Sequence, residues 1–190
     1  MDFDDLVRDA RLGEGAAFAE LWSRHAARVA GFVRAGGATD VEEITSDVFA
    51  AAFDGIGRFE GDETGFVALL MTIARRRVTD EHRRRSRRLP VESWEHYRDI
   101  QGAGSVEDDA IARASVGELS EHLARLTQDQ REVVLLRLLA DLSLEQTAGV
   151  MGKRVGTVKS LQRRGLDALR RSLAASPQVT RPAIPERNTS

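Results

Sequence analysis

Arginine is the residue type with the most chemical capacity in this 190-residue chain, and it is unevenly placed. Residues 64–88 hold eight arginines against two acids, among them Arg75, Arg76, Arg77, Arg83, Arg84 and Arg85. Residues 153–174 hold seven bases against one acid, including Lys159, Arg163 and Arg164. Around these blocks the chain is acidic: residues 1–63 carry 14 acids and 6 bases, and residues 89–126 carry 8 acids and 3 bases. The formal net charge of −2 therefore conceals an alternation of sign. Two compact basic blocks on an acidic body suit two polyanion-facing surfaces. Arg and Lys neutralise phosphates, while Arg and Gln, here Gln162, also form bidentate bonds to base edges.

Other chemistries find little support. The chain has no cysteine, which removes disulfides, zinc–thiolate sites and thiol nucleophiles. Its histidines, His25, His82, His96 and His122, form no tight ligand spacing. His25 falls on an apolar stripe, where a satisfied core or boundary histidine is expected. His82 lies in the arginine block, open to DNA or to solvent. The segment from Gly55 to Gly61 does not fit a nucleotide-binding glycine loop, and no Ser–His–Asp order stands out. A binding protein without cofactor or metal is expected, rather than an enzyme. The acidic start lacks a signal peptide, and no apolar run approaches the roughly 18 residues that span a bilayer, so a cytoplasmic location is expected.

The elements that must position these residues read as helices. Phe18, Leu21, Trp22, His25, Val29, Phe32 and Val33 recur at three- and four-residue steps, ending at Gly36-Gly37, with Trp22 expected in the core. The capping-box spacing Thr39-Asp-Val-Glu42 predicts a helix from about Asp40, with Val41, Ile44 and Val48 buried. The same helix would carry Asp40, Glu43 and Asp47 as an acidic stripe. A charged, Gly-rich loop follows over 55–64. The next helix is predicted over about 65–85, with Phe66, Leu69, Leu70 and Ile73 inward, running straight into the arginines. Pro90 ends it. Residues 89–117 read as a linker containing Trp94, with a short helix expected over 106–114.

A second compact unit is expected over 118–174 and a disordered, proline-containing tail over 175–190. Thr127 to Gln130 and Ser143 to Gln146 are further capping-box patterns. The first precedes Val133, Val134, Leu136 and Leu138. The second opens a helix of about eight residues to Met151. Gly152 then makes a turn, and a long helix runs over about 155–173. A short helix, a Gly-containing turn and a longer basic helix make a helix-turn-helix. With Val158, Leu161, Gly165, Ala168 and Leu169 inward, Lys159, Ser160, Gln162, Arg163, Arg164 and Asp167 point mostly outward. The fold class is all-α: two small helical domains, 1–88 and 118–174, joined by a linker.

At these residues the chain resembles a known family. Leu126 to Val134, Leu142 to Ala148, and above all Val155-Gly-Thr-Val-Lys-Ser160 resemble the promoter-reading C-terminal domain of bacterial sigma-70 factors. The two-domain layout resembles the extracytoplasmic-function (ECF) branch. The resemblance implies a signal-responsive RNA polymerase sigma factor that directs transcription initiation. It implies that Arg154, Thr157, Lys159, Ser160, Gln162, Arg163 and Arg164 read the −35 element, with the domain touching the polymerase β flap. It implies that Asp40, Glu43 and Asp47 dock on the β′ clamp helices. It further implies that Arg58, Phe59, Arg75, Arg76, Arg77, Arg83 and Arg84 meet the melted −10 strand, and that an anti-sigma factor is a further partner. The chain departs from the family's pattern at Leu69, Arg76, Leu161 and Gln162, and Ser46-Asp47 replaces a usual Gln-Glu. From the residues alone, the alternative is a stand-alone helix-turn-helix regulator with a ligand-sensing N-terminal domain.

Overall fold

The computed structural model describes residues 1–88, 119 and 121–175, and every described element is helical. The expected linker, its short helix, Trp94 and nearly all of the expected tail lie outside the described residues. Five helical pieces form the N-terminal unit: α1 (Phe3–Arg11), α2 (Gly15–Ala35), α3 (Val41–Asp54), a 3₁₀ turn (Ile56–Arg58) and α4 (Glu63–Arg88). The C-terminal unit holds helical residues 121–124, then α5 (Gln128–Leu138), α6 (Leu144–Met151) and α7 (Val155–Ala174).

Helix α1 is one that the apolar pattern above does not single out. The Asp2 carboxylate accepts a hydrogen bond from Phe3 N–H, and Phe3, Leu6, Val7 and Ala10 are buried. Its register is tied to the 3₁₀ turn by Arg11, whose guanidinium donates to the carbonyls of Ile56 and Phe59.

Helix α3 starts as its sequence predicts, but its cap is Asp40 rather than Thr39. The Asp40 carboxylate accepts from Glu43 N–H at 2.9 Å, and Thr39 N–H instead donates to Glu81 of α4 at 2.9 Å. The Asp40 carboxylate caps the helix and adds a negative charge at its positive end, while the Thr39 backbone is held toward α4. Ile44 and Val48 are buried as the spacing requires, whereas Val41 at the first turn is only half-buried and Phe49 joins the buried set.

In α4 the buried set is Phe66, Val67, Leu70, Met71, Ala74 and Val78, while Leu69 and Ile73 are only partly covered. The inward face is thus rotated from the expected one. The cause is tertiary: α4 packs on α2 and α3 and also on α6, so it needs a wider apolar face than a two-sided helix. Its charged end is pinned to the α2–α3 turn. His82 Nε2 donates to Gly36 O at 2.8 Å, and Arg85 donates to Gly37 O at 3.1 Å and to Glu81 at 3.3 Å.

The C-terminal unit follows its local signals closely. Thr127–Gln130 and Ser143–Gln146 form complete capping boxes. Gly152 ends α6 in the left-handed region at φ 62°, a conformation that glycine adopts without a Cβ penalty. In α5 the buried run is Val133–Leu136, and Leu138, the last residue of the helix, is 65% exposed.

Two features of the core differ from expectation. Trp22 packs at a tilt against Phe49 with ring centroids 4.6 Å apart but stays partly exposed. His25 is buried, yet neither ring nitrogen has a hydrogen-bond partner, the nearest anion being Glu63 at 3.5 Å. It is a core histidine, but not a satisfied one.

The two units touch. Helix α4 lies against α6, and the Leu139 side chain approaches Gly31 of α2 so closely that a Cβ at Gly31 would sit 3.2 Å from it. Arg75 of α4 and Glu132 of α5 bridge the seam at 2.7 Å.

Candidate nucleic-acid interface

Helix α7 presents its basic residues to solvent. Only Val158, Leu161 and Gly165 are buried, and they lie against α5 and α6. Gly165 is the point of closest approach: a Cβ there would meet Val134 at 3.1 Å and Gln130 O at 3.2 Å. Missing side-chain bulk lets α7 sit low on α5, which rolls the opposite face outward. On that face Arg154, Thr157, Lys159, Ser160, Arg163 and Arg164 are exposed and Gln162 is half-buried. Among the described residues no carboxylate lies within salt-bridge distance of Arg154, Lys159, Arg163 or Arg164.

The N-terminus of α7 has no side-chain cap, so its first N–H groups point outward beside Arg154 and Thr157. Free N–H groups and a basic side chain at a helix start favour an anion. Just upstream, Lys153 is held by Asp129 at 3.0 Å, which ties the turn to α5. Glu145, at the start of α6, is held below the usual carboxylate range by a hydrogen bond to its own backbone N–H, by the Ser143 side chain and by the nearby charges of Lys159 and Arg137.

The second basic surface runs along α4. Arg76, Arg77, Arg83 and Arg84 are exposed, and Arg58 is exposed in the turn before the helix. Asp62 opens α4 by accepting from Gly65 N–H at 2.7 Å. Phe59 does not project as a free ring. It packs edge-on to Phe66 at 5.5 Å and Phe3 at 6.3 Å, so it shapes the loop rather than leaving it.

Two further site residues are engaged inside the chain. Arg75 is committed to Glu132, and Arg77 lies 3.4 Å from Asp47. The second contact draws the arginine surface and the acidic stripe of α3 to one edge, where Asp40, Glu43 and Asp47 are all exposed. His82, bound to Gly36 O, serves the fold and not the surface. Between α4 and α5 lies an open groove of about 560 Å³, lined by Arg75, Thr79, Arg83, Arg87, Gln128 and Asp129.

The residues that sequence reasoning missed are Glu132 and Gln128. Arg75 and Glu132 are 57 positions apart, and nothing local marks the glutamate as a partner.

A helix-turn-helix whose long helix is basic and exposed, joined to a second helical unit with its own arginine surface, defines the class of helical DNA-binding proteins. The comparisons make that class specific. Residues 21–88 match the family described as Sigma-70 region 2, and residues 122–171 match Sigma-70 region 4. The chain is 36% identical over 171 residues to the ECF RNA polymerase sigma factor BldN of Streptomyces coelicolor, covering 89% of this chain and 65% of that protein. It is 34% identical over 181 residues to the ECF RNA polymerase sigma factor SigD of Mycobacterium tuberculosis, covering 91% of this chain and 84% of that one. In fold it is similar to the solved structure of CnrH in complex with the cytosolic domain of CnrY, at a TM-score of 0.69 and 24% identity, covering 92% of this chain and 99% of that one. It is also similar to RpoE of Bartonella quintana in complex with the anti-sigma factor NepR, at 0.64 and 23%, covering 84% of this chain and 98% of that one. The chain belongs to the ECF RNA polymerase sigma factors of the sigma-70 family.

Proposed function

We propose that this chain binds core RNA polymerase, carries it to promoters and helps open them, acting by recognition rather than catalysis. The observation that carries this is the pairing of an exposed basic helix in a helix-turn-helix with a separate arginine surface on the other unit. In this assignment residues 118–174 read the −35 element as duplex through α7. Lys159, Arg163 and Arg164 neutralise phosphates, and Gln162 with one of the arginines meets base edges. Residues 1–88 hold the opened −10 strand along Arg58, Arg75, Arg76, Arg77, Arg83 and Arg84. Phe59 supports that loop from beneath. Opening duplex costs roughly 1–2 kcal/mol per base-pair step, and a basic surface that binds the freed strand offsets it.

Asp40, Glu43 and Asp47 dock on a basic part of the polymerase clamp, and the C-terminal unit contacts the flap. Residues 89–117 link the two sites. The −10 and −35 positions are about 25 base pairs apart, or about 85 Å along B-form DNA. Units in direct contact cannot reach both, so the described arrangement is a resting one that opens on the polymerase. Since CnrH and RpoE were solved with partner proteins, we infer an anti-sigma inhibitor for this chain too. No helix among the described residues is long and apolar enough to cross a membrane. We assign the action to the cytoplasm because the proposed partner, core polymerase, works there.

The test is run-off transcription with purified core polymerase and a genomic promoter library. Discrete start sites sharing two spaced motifs are expected. Transcription no different from core polymerase alone would overturn the assignment.

A further inference from the structure

We propose that Glu132 is an intramolecular lock on Arg75, holding that one arginine of the α4 surface against the helix-turn-helix unit while the chain is free. The geometry is complete on both carboxylate oxygens. Arg75 Nε donates to Glu132 Oε2 at 2.7 Å, and Gln128 Nε2 donates to Oε1 at 3.0 Å. Glu132 is 8% exposed, the only carboxylate among the described residues buried to that degree. A buried carboxylate is costly unless paired. Within its own unit Glu132 has only the Gln128 amide, so its compensating charge comes from the other unit. Leu139 against Gly31 supplies a separate apolar contact between the two units.

The lock is built to yield. The Glu132 carboxylate on Arg75 Nε takes a guanidinium donor that a DNA phosphate would otherwise use, through the same kind of charge-assisted bond. Opening also returns Glu132 to water, which offsets the lost pair. DNA at α4 and closure of the two units therefore compete for one guanidinium. This rests on the assignment of Arg75 to the −10 surface, and the experiment separates the two.

The chain has no native cysteine, so exposed Ala16→Cys and Glu121→Cys can carry spin labels, one on each unit. Glu132→Gln keeps the side chain's size and its bond to Gln128. In the free full chain, a short label distance is expected for wild type and a longer, broader one for E132Q. Affinity for a single-stranded oligonucleotide carrying the −10 motif from the run-off experiment should rise on the order of tenfold in E132Q, because the binding-competent fraction rises. The charge swap Arg75→Glu with Glu132→Arg should restore the short distance while oligonucleotide binding stays weak. Unchanged distance and affinity in E132Q would overturn the lock. A longer distance in E132Q together with wild-type oligonucleotide binding by Arg75→Ala would uphold the clasp and overturn the assignment of Arg75 to DNA.

Discussion

Arg163 and Arg75 are the same side chain in different electrostatic situations. Arg163 is exposed, with no carboxylate in salt-bridge range among the described residues, whereas Arg75 is paired across the seam. The α7 arginines are thus free to meet DNA without a prior rearrangement. Replacing both Arg163 and Arg164 by Ala should weaken promoter binding by the holoenzyme. If each meets one phosphate, the slope of log affinity against log salt should flatten by about 1.8, at about 0.9 per contact. Fluorescence anisotropy across a salt series measures this, and an unchanged slope would remove α7 from the interface.

His25 is a residue-scale case of a different kind. Burial lowers its pKa below 6.5; Glu63 works against that shift, and Arg28 and Arg24 reinforce it. Its folded-state pKa is depressed, so its contribution to stability is fully present above about 6.5 and is lost as pH falls toward the folded value. Thermal melts between pH 7.5 and about 5 should show wild type losing stability faster than His25→Leu. Parallel pH profiles would show that the folded chain protonates His25 as readily as the unfolded one, and would refute the lowered pKa.

At the scale of elements, the C-terminal unit is held by local devices and one close approach. Ser143→Ala removes half of a capping box and should cost about 1 kcal/mol in chemical denaturation. Gly165→Val is more damaging. Its Cβ meets the Gln130 carbonyl, which cannot turn aside, so α7 must lift from α5 at a cost of about 1–3 kcal/mol. It should lower −35 binding as well as stability, whereas Ser143→Ala should change stability alone. Equal effects of the two on DNA binding would argue that the depth of α7 is immaterial.

The same elements show what was legible. Thr127, Ser143 and Gly152 act within four residues of themselves, and their roles could be read directly. In α4, by contrast, Val67 and Met71 are buried and Leu69 and Ile73 only partly so, because three neighbours set the face. Trp22 and Leu138 were expected inside by periodicity alone. One lies at the rim of an aromatic cluster and the other past the end of its helix's cover, which spacing does not encode.

For the whole molecule, the consequential fact is that the two units are in contact, while the −10 and −35 elements proposed as their targets lie about 85 Å apart on B-form DNA. Labels placed on α2 and near α5 should therefore move apart by tens of ångströms on forming the holoenzyme–promoter complex, with the free chain remaining compact. Pulsed electron resonance on both states is decisive. An inhibitor that stabilises the closed form would act on the same equilibrium in the opposite direction, and its affinity should fall in any variant that opens the seam.

The amino-acid sequence by itself determined the helical class, the helix-turn-helix, the two arginine blocks and the acidic stripe. Each depends on residues near one another in the chain: a cap and its third residue, a turn glycine, a periodic stripe, a run of like charge. Only the tertiary structure decided that Arg75 is occupied, that Phe59 lies packed beneath its loop and that His25 is buried without a hydrogen bond. Those outcomes depend on which distant surfaces come into contact, and a carboxylate 57 positions away leaves no local trace of the arginine it will meet.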